Sequence, residues 1–138
     1  MRTKTIEEYI ELIYNLEKKD GHAHTGTIAS EMNIKPPSVT QMLQKLEKEG
    51  LVSYQSYTGT ILTTQGKDLA RQLMEKHRVI AEFLEMIGID KKLAQRDACQ
   101  IEHHMSKETI RHIEEVIRLI KDDPAIATWF EEFSQSYP

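Results

Sequence analysis

The sequence predicts a mainly α-helical protein carrying one small β-hairpin, built as two consecutive parts joined by a long helix. Apolar residues recur at helical 3–4 spacing through most of the chain. The stretch that breaks this rhythm, LVSYQSYTGTILTT, is instead β-branched and aromatic. No Pro/Gly/Ser-rich linker, low-complexity segment or internal repeat separates the parts. At 138 residues, 39% hydrophobic and 29% charged, the chain can bury a core without covalent staples. Its single cysteine excludes an internal disulfide and fits a reducing compartment. The start MRTKTIEEYIEL has no signal-peptide pattern, and no apolar run nears the ~20 residues that span a bilayer. We therefore expect a cytoplasmic protein with no membrane partner.

The elements follow in order. Ile6, Tyr9, Ile10, Ile13 and Leu16 give Thr5–Lys19 one apolar face, and Gly21 closes that helix. Thr25 or Thr27 is expected to cap a short helix running to Met32, which Asn33 ends. In PPSVTQMLQKLEKEG, Pro37 suits a first helical turn, Val39, Met42, Leu43 and Leu46 form a buried stripe, and Gly50 terminates. The β-branched stretch, broken at Thr58-Gly59, reads as a hairpin. Beyond Thr64 the chain is helical to its end. Leu69, Leu73, His77, Ile80, Leu84 and Ile87 stripe a long helix closed by Gly88. Asp90–Met105 is a second helix, Ser106 caps a third to about Lys121, and a last short helix bearing Trp129, Phe130 and Phe133 follows the break at Asp122–Pro124.

Helix, helix, helix, hairpin is the plan of a winged helix-turn-helix. The third helix turns Pro37, Thr40, Gln41, Gln44, Lys45 and Lys48 away from its apolar stripe. Such a face is equally what a solvated helix presents. Gln pairs bidentately with adenine, Lys with guanine or phosphate, and Pro and Thr carbons touch thymine methyls, so with a short helix before it and a wing after it this face fits a major-groove reader. Lys35 and Ser38 flank it, and Arg2, Lys4 and the wing from Ser56 through Tyr57, Thr58, Gly59 and Thr60 are placed for phosphates. Charge agrees weakly: residues 1–78 hold 11 Lys+Arg against 10 Asp+Glu, and residues 79–138 hold 7 against 12. Double-stranded DNA is thus expected to bind the first half.

The second half carries CQIEHHMS. On a helix, Cys99, Glu102 and His103 fall together, opposite an apolar face of Leu93, Ala94, Ala98, Ile101 and Met105. A thiolate, a carboxylate and an imidazole pointing one way suit a transition metal, although a lone Cys is more often a small core residue. The apolar face is expected to form a two-fold interface or the core beneath it. Glu8 and Glu11 stand at i, i+3 on the first helix, a like-charge pair that a cation would relieve and that a solvated acidic face would also explain. His77 interrupts the long helix's apolar stripe, as a ligand or a hydrogen-bonded core histidine would.

These segments, with TIEEYIELIY, PPSVTQMLQKLEKEGLV, LTTQGKDLA, KHRVIAEFL and RDACQIEHHMS, resemble the diphtheria-toxin-repressor family of metal-dependent repressors, and most of all its short two-domain branch, the manganese transport regulators. The resemblance spans nearly the whole chain. It implies a homodimer with an all-helical dimerisation domain, binding a palindromic operator when Mn(II) or Fe(II) is present. It assigns metal ligation to Glu8, Glu11, His77, Cys99, Glu102 and His103. Two positions depart from the branch: it typically has an acidic residue where this chain has Cys99, and often Asp where it has Glu8. The iron branch does carry cysteine at the first of these, but methionine where this chain has Glu102. Its accessory-site ligands would fall near Ala81 and Gln95, neither of which can coordinate through its side chain as required, and its C-terminal SH3-like domain has no counterpart here. Thiolate softness tilts the set toward Fe(II) and the oxygen donors toward Mn(II), leaving either ion, one or two per subunit.

The expected organisation is a DNA-binding domain over 1–64 and a metal-binding, dimerising domain over 65–138, with 65–88 as the linking helix. The expected function is a non-enzymatic repressor of metal-uptake genes, with no organic cofactor. The competing readings are a winged-helix regulator sensing an organic ligand and a helical metalloenzyme.

Overall fold

The computed structural model describes residues 4–55 and 57–137. Two compact units divide between Gln72 and Leu73, inside a single long helix, and each has its own core.

In the first unit, α1 (Lys4–Asp20) buries Ile6, Tyr9, Ile10 and Ile13, the i, i+3, i+4, i+7 set of one helical face. Burial pushes the Tyr9 phenol pKa up. Next comes α2 (Thr25–Met32), whose N-cap is His24 rather than either threonine, and the His24 ring does not cap. The reason lies one residue earlier. Ala23 N–H and C=O both pair with Thr60 at 2.8 Å, so the chain is held extended there, and the helix starts as soon as that bridge releases it. Asn33, at φ 56°, closes α2 in the left-handed conformation that its short polar side chain tolerates.

Three residues later α3 (Pro36–Lys48) begins, with prolines in the first turn, where amide donors have no helical partner. Val39, Leu43 and Leu46 face the core. At its end Gly50 N–H bonds Glu47 C=O and Leu51 N–H bonds Leu46 C=O, each at 3.0 Å, which satisfies the last carbonyls. The hairpin is β1 (Val52–Gln55) antiparallel to β2 (Gly59–Leu62), in the register Val52↔Leu62 to Gln55↔Gly59. Its break therefore falls one step before the expected Thr58-Gly59, because Gly59 already pairs as the first residue of β2. Glu17 anchors the hairpin to α1 by accepting Leu62 N–H at 3.0 Å.

The long helix α4 (Thr64–Met86) opens on Thr63, whose hydroxyl accepts Gly66 N–H at 3.1 Å and donates to Gly50 C=O at 2.6 Å. Gly66 lies so close to the hairpin entry that a Cβ there would stand 2.1 Å from Leu51 O. Gly66→Ala is expected to lower stability by ~1–3 kcal/mol, through overpacking against backbone that cannot turn aside. A thermal midpoint equal to wild type would show that this approach is looser than described.

In the second unit, the end of α4 packs with α5 (Lys91–Ile101), α6 (Lys107–Asp122) and α7 (Pro124–Ser136). Val79, Ile80, Ala81, Ala98, Ile110 and Ile117 form the core. Asp90, Ser106 and Asp123 cap the three helices by accepting amide hydrogens of their first turns. The helix expected to run through Met105 stops at Ile101, and Glu102–His104 tightens into a 3-10 turn. Lys76 holds that turn by donating to Met105 C=O at 2.9 Å. On the outside, Arg78 pairs with Glu75 of its own helix (2.6 Å) and links α4 to α6 through Glu114 (3.2 Å), and its guanidinium lowers the Glu75 carboxyl pKa. Among the described residues, no helix is long and apolar enough to cross a membrane.

Candidate metal centre and nucleic-acid face

A buried carboxylate organises the second unit's polar cluster. Among the described residues, Thr60 and Glu102 are the polar residues buried as a whole, and Glu102 is fully enclosed. Burying a carboxylate is costly unless cations or donors compensate it. Two imidazoles answer here. His77 Nδ1, from α4, lies 3.0 Å from one Glu102 oxygen, and His103 Nε2, from the 3-10 turn, lies 3.5 Å from the other. The opposite nitrogen of His77 meets the Gln95 side-chain amide at 2.6 Å. Each donor is placed by backbone already described: His77 by the α4 stripe, Glu102 and His103 by the abrupt end of α5.

That ending changes the wheel expected from sequence. Cys99 is exposed on the last turn of α5, whereas the side chains of Glu102 and His103 are 0% and 1% exposed. The three do not share one open face, because the tighter 3-10 turn rotates the last two inward. A carboxylate and two imidazole nitrogens nevertheless make a donor set suited to a first-row divalent ion, with only His77 partly open, its side chain 26% exposed. Glu8 and Glu11 lie on α1 of the first unit, the former exposed and the latter half-buried.

Sequence reasoning missed Gln95 and Lys76. Gln95 stands four residues before Cys99 and seven before Glu102, a helical spacing that puts it on the same face as the candidate ligands. Nothing in the pattern signals Lys76, since its bond is to backbone.

The residues expected to meet DNA are displayed on the first unit. Lys35, Pro37, Ser38, Gln41, Gln44, Lys45 and Lys48 are exposed and Thr40 half-buried, along α3 and its approach. In the hairpin Tyr57 is 99% exposed, Thr58 is exposed and donates to Gln55 at 2.5 Å, and Gly59 is half-buried. Lys4 is half-buried at the start of α1. The contacts expected of Arg2 and Ser56 lie outside the described residues. Glu47, on the same helix, accepts Tyr54 N–H at 2.9 Å and so ties the hairpin to α3, a positioning role its charge alone does not announce.

Of the residues read as an assembly face, Ala94 and Ala98 are fully buried inside the second unit, Ile101 and Met105 pack against its core, and Leu93 is half-buried. Among the described residues of the second unit, the large apolar side chains that reach the surface are Met74, Val116, Leu119, Ile126, Trp129 and Tyr137.

Comparison with known proteins places these features. Residues 1–60 match the family model for the iron dependent repressor N-terminal DNA binding domain, and residues 63–131 that for the iron dependent repressor metal binding and dimerisation domain. The HTH-type transcriptional regulator MntR of Oceanobacillus iheyensis is 40% identical over 89% of this chain and 84% of its own. The protein of that name from Listeria innocua is 36% identical over 100% of this chain and 97% of its own. Among solved structures, that of the manganese regulator SloR superposes with a TM-score of 0.69 at 29% identity, over 86% of this chain and 54% of the longer one. Two family models that together cover nearly the whole chain, and relatives this similar over nearly their full length, lead to one conclusion: the chain belongs to the iron-dependent, or diphtheria-toxin, repressor family, within the MntR branch of metal-dependent transcriptional regulators.

Proposed function

We propose that this regulator represses metal-uptake genes as a homodimer whose grip on a palindromic operator depends on Mn(II) or Fe(II). The observation that carries the reading is the fully buried Glu102 between two imidazoles, inside the segment that matches a metal binding domain. His77, Glu102 and His103 hold the ion with Cys99, and Glu8 and Glu11 complete the set, for one or two ions per subunit. When bound, the ion supplies positive charge that offsets these carboxylates and couples the DNA-binding half to the dimerising half. Glu102 would bind the ion through the carboxylate that lies between the two imidazoles; His77 is oriented by the Gln95 amide; Lys76 holds the turn that carries His103. No organic cofactor is needed.

The dimer forms through the second unit. Ala94, Ala98, Ile101 and Met105 shape the core beneath the interface, and the exposed apolar residues of α6 and α7 supply surface to cover. Two recognition helices related by a two-fold axis read half-sites about one helical turn (~34 Å) apart. Gln41, Gln44 and Thr40 read base edges, while Lys4, Lys35, Lys45, Lys48, Tyr57, Thr58 and Gly59, with Pro37 and Ser38, set the helix against the duplex. Gln41→Ala is expected to weaken specific binding by ~1–3 kcal/mol and relax one base position. Lys45→Ala is expected to weaken binding to every sequence and flatten its salt dependence. Unchanged binding by both variants would place recognition elsewhere.

The reading is tested by selecting sites from random duplex DNA with the Mn(II)-loaded and Fe(II)-loaded protein under reducing conditions, then measuring the selected site by fluorescence anisotropy with metal and with chelator. A palindrome bound tightly only with metal is expected. Equal binding in chelator would favour the sensing of another ligand.

A further inference from the structure

We propose that His22 and His24 form a second metal site, at the root of the hairpin, that takes a late divalent transition ion such as Ni(II) or Cu(II). The two flank Ala23, whose backbone is paired on both sides with Thr60 at 2.8 Å. In extended chain, residues i and i+2 project to the same face, so the bridge itself brings the two imidazoles together. Their Nε2 atoms share a 2.8 Å hydrogen bond, whose proton an ion would displace, with ring centroids at 4.3 Å and planes at 85°.

That separation selects among ions. Two nitrogens bound at ~2.0–2.1 Å stand about 2.9 Å apart at a right angle and about 3.3 Å apart at a tetrahedral one. From the hydrogen-bonded 2.8 Å, the right-angled chelate of tetragonal Ni(II) and Cu(II) centres needs the smaller movement of the rings. Half of the chelate is already fixed. The His22 ring lies against Gly59, where a Cβ would come within 2.6 Å of its Cδ2, so the ring occupies space that only glycine leaves open. His24 is exposed and its ring does no capping work, so it can turn its lone pair toward the shared ion. Among the described residues, no third His, Cys, Asp or Glu joins the pair in a converging group. Water or an incoming oxygen donor fills the remaining positions. The site shares no residue with the Glu102 cluster.

The test uses the full chain and Ni(II), which leaves the Cys99 thiol unoxidised. Amide NMR spectra are followed during titration of wild type, His24→Gln and His103→Ala, with bound metal counted by equilibrium dialysis. Paramagnetic broadening of the Ala23, Gly59 and Thr60 amides is expected in wild type and in His103→Ala, and is expected to vanish in His24→Gln, which should also retain one equivalent fewer than wild type. Persistence of that broadening in His24→Gln, or its absence from wild type, would overturn the site. Because His103→Ala alters only the other cluster, failure there does not imitate failure here.

Discussion

Glu102→Gln is expected to abolish the metal response while leaving the protein folded. The substitution keeps the side chain's shape and removes its charge at a position with no exposure. Without metal, burying an amide costs less than burying a carboxylate, and His77 can still hydrogen-bond to it across the 3.0 Å contact. The metal-free variant should therefore melt at or above the wild-type midpoint. With metal the order reverses. A neutral amide oxygen is a poor ligand beside an anionic one, so affinity should fall by on the order of 100-fold or more, about 3 kcal/mol. At a metal concentration ~100 times the wild-type Kd, the ~2.7 kcal/mol of ligand-linked stabilisation should disappear from the variant's melting curve. Calorimetry with and without Mn(II) reads both effects. If metal raises the variant's midpoint as much as wild type's, Glu102 serves only as His77's partner.

In the proposed ligand set, Cys99 is the residue expected to bias which metal is chosen. Its exposure on the last turn of α5 leaves the sulfur accessible, unlike a cysteine retained for packing. The thiol proton must leave when metal binds, so affinity should rise with pH until the thiol is ionised. Cys99→Glu replaces a soft thiolate with a hard carboxylate that can bridge two ions. It should shift the Mn(II)-to-Fe(II) preference toward manganese by on the order of 10–100-fold, with operator activation retained and a second equivalent bound. Cys99→Ser should weaken activation by both ions, because a neutral hydroxyl is a poor donor. Cobalt(II) reports the bond directly: a Co–thiolate charge-transfer band in the near ultraviolet is expected in wild type and lost in Cys99→Ser. A wild type lacking that band, together with a Cys99→Ser variant that responds normally, would remove Cys99 from the ligand set.

The elements were legible where periodicity and punctuation agree. Ile6, Tyr9, Ile10 and Ile13 announce α1, the prolines before Val39 announce α3, and the β-branched stretch announces the hairpin. What the pattern could not carry was long-range. The start of α2 depends on Ala23 pairing with Thr60, a partner 37 positions away (60 minus 23), so local capping preference chose the wrong residue. The end of α5 was missed for a similar reason. A helical wheel continues through EHH without penalty, whereas the chain turns there under Lys76's hold on Met105. Glu102 and His103 were thus singled out by chemical type, but their burial, in contrast to the exposed Cys99, followed from a turn that side-chain periodicity does not encode. The small alanines at 94 and 98 read as an interface or the core beneath it, and they are close-packed inside the unit.

Metal-dependent operator grip is a linkage, and linkage is reciprocal. The most direct measurement is Mn(II) affinity, by calorimetric titration, for the protein alone and for the protein saturated with the selected operator. The operator should tighten Mn(II) binding by the same factor, about 5–150-fold, by which Mn(II) tightens operator binding in anisotropy. Equal Mn(II) affinity with and without operator would contradict metal-coupled DNA recognition, whatever the protein binds separately.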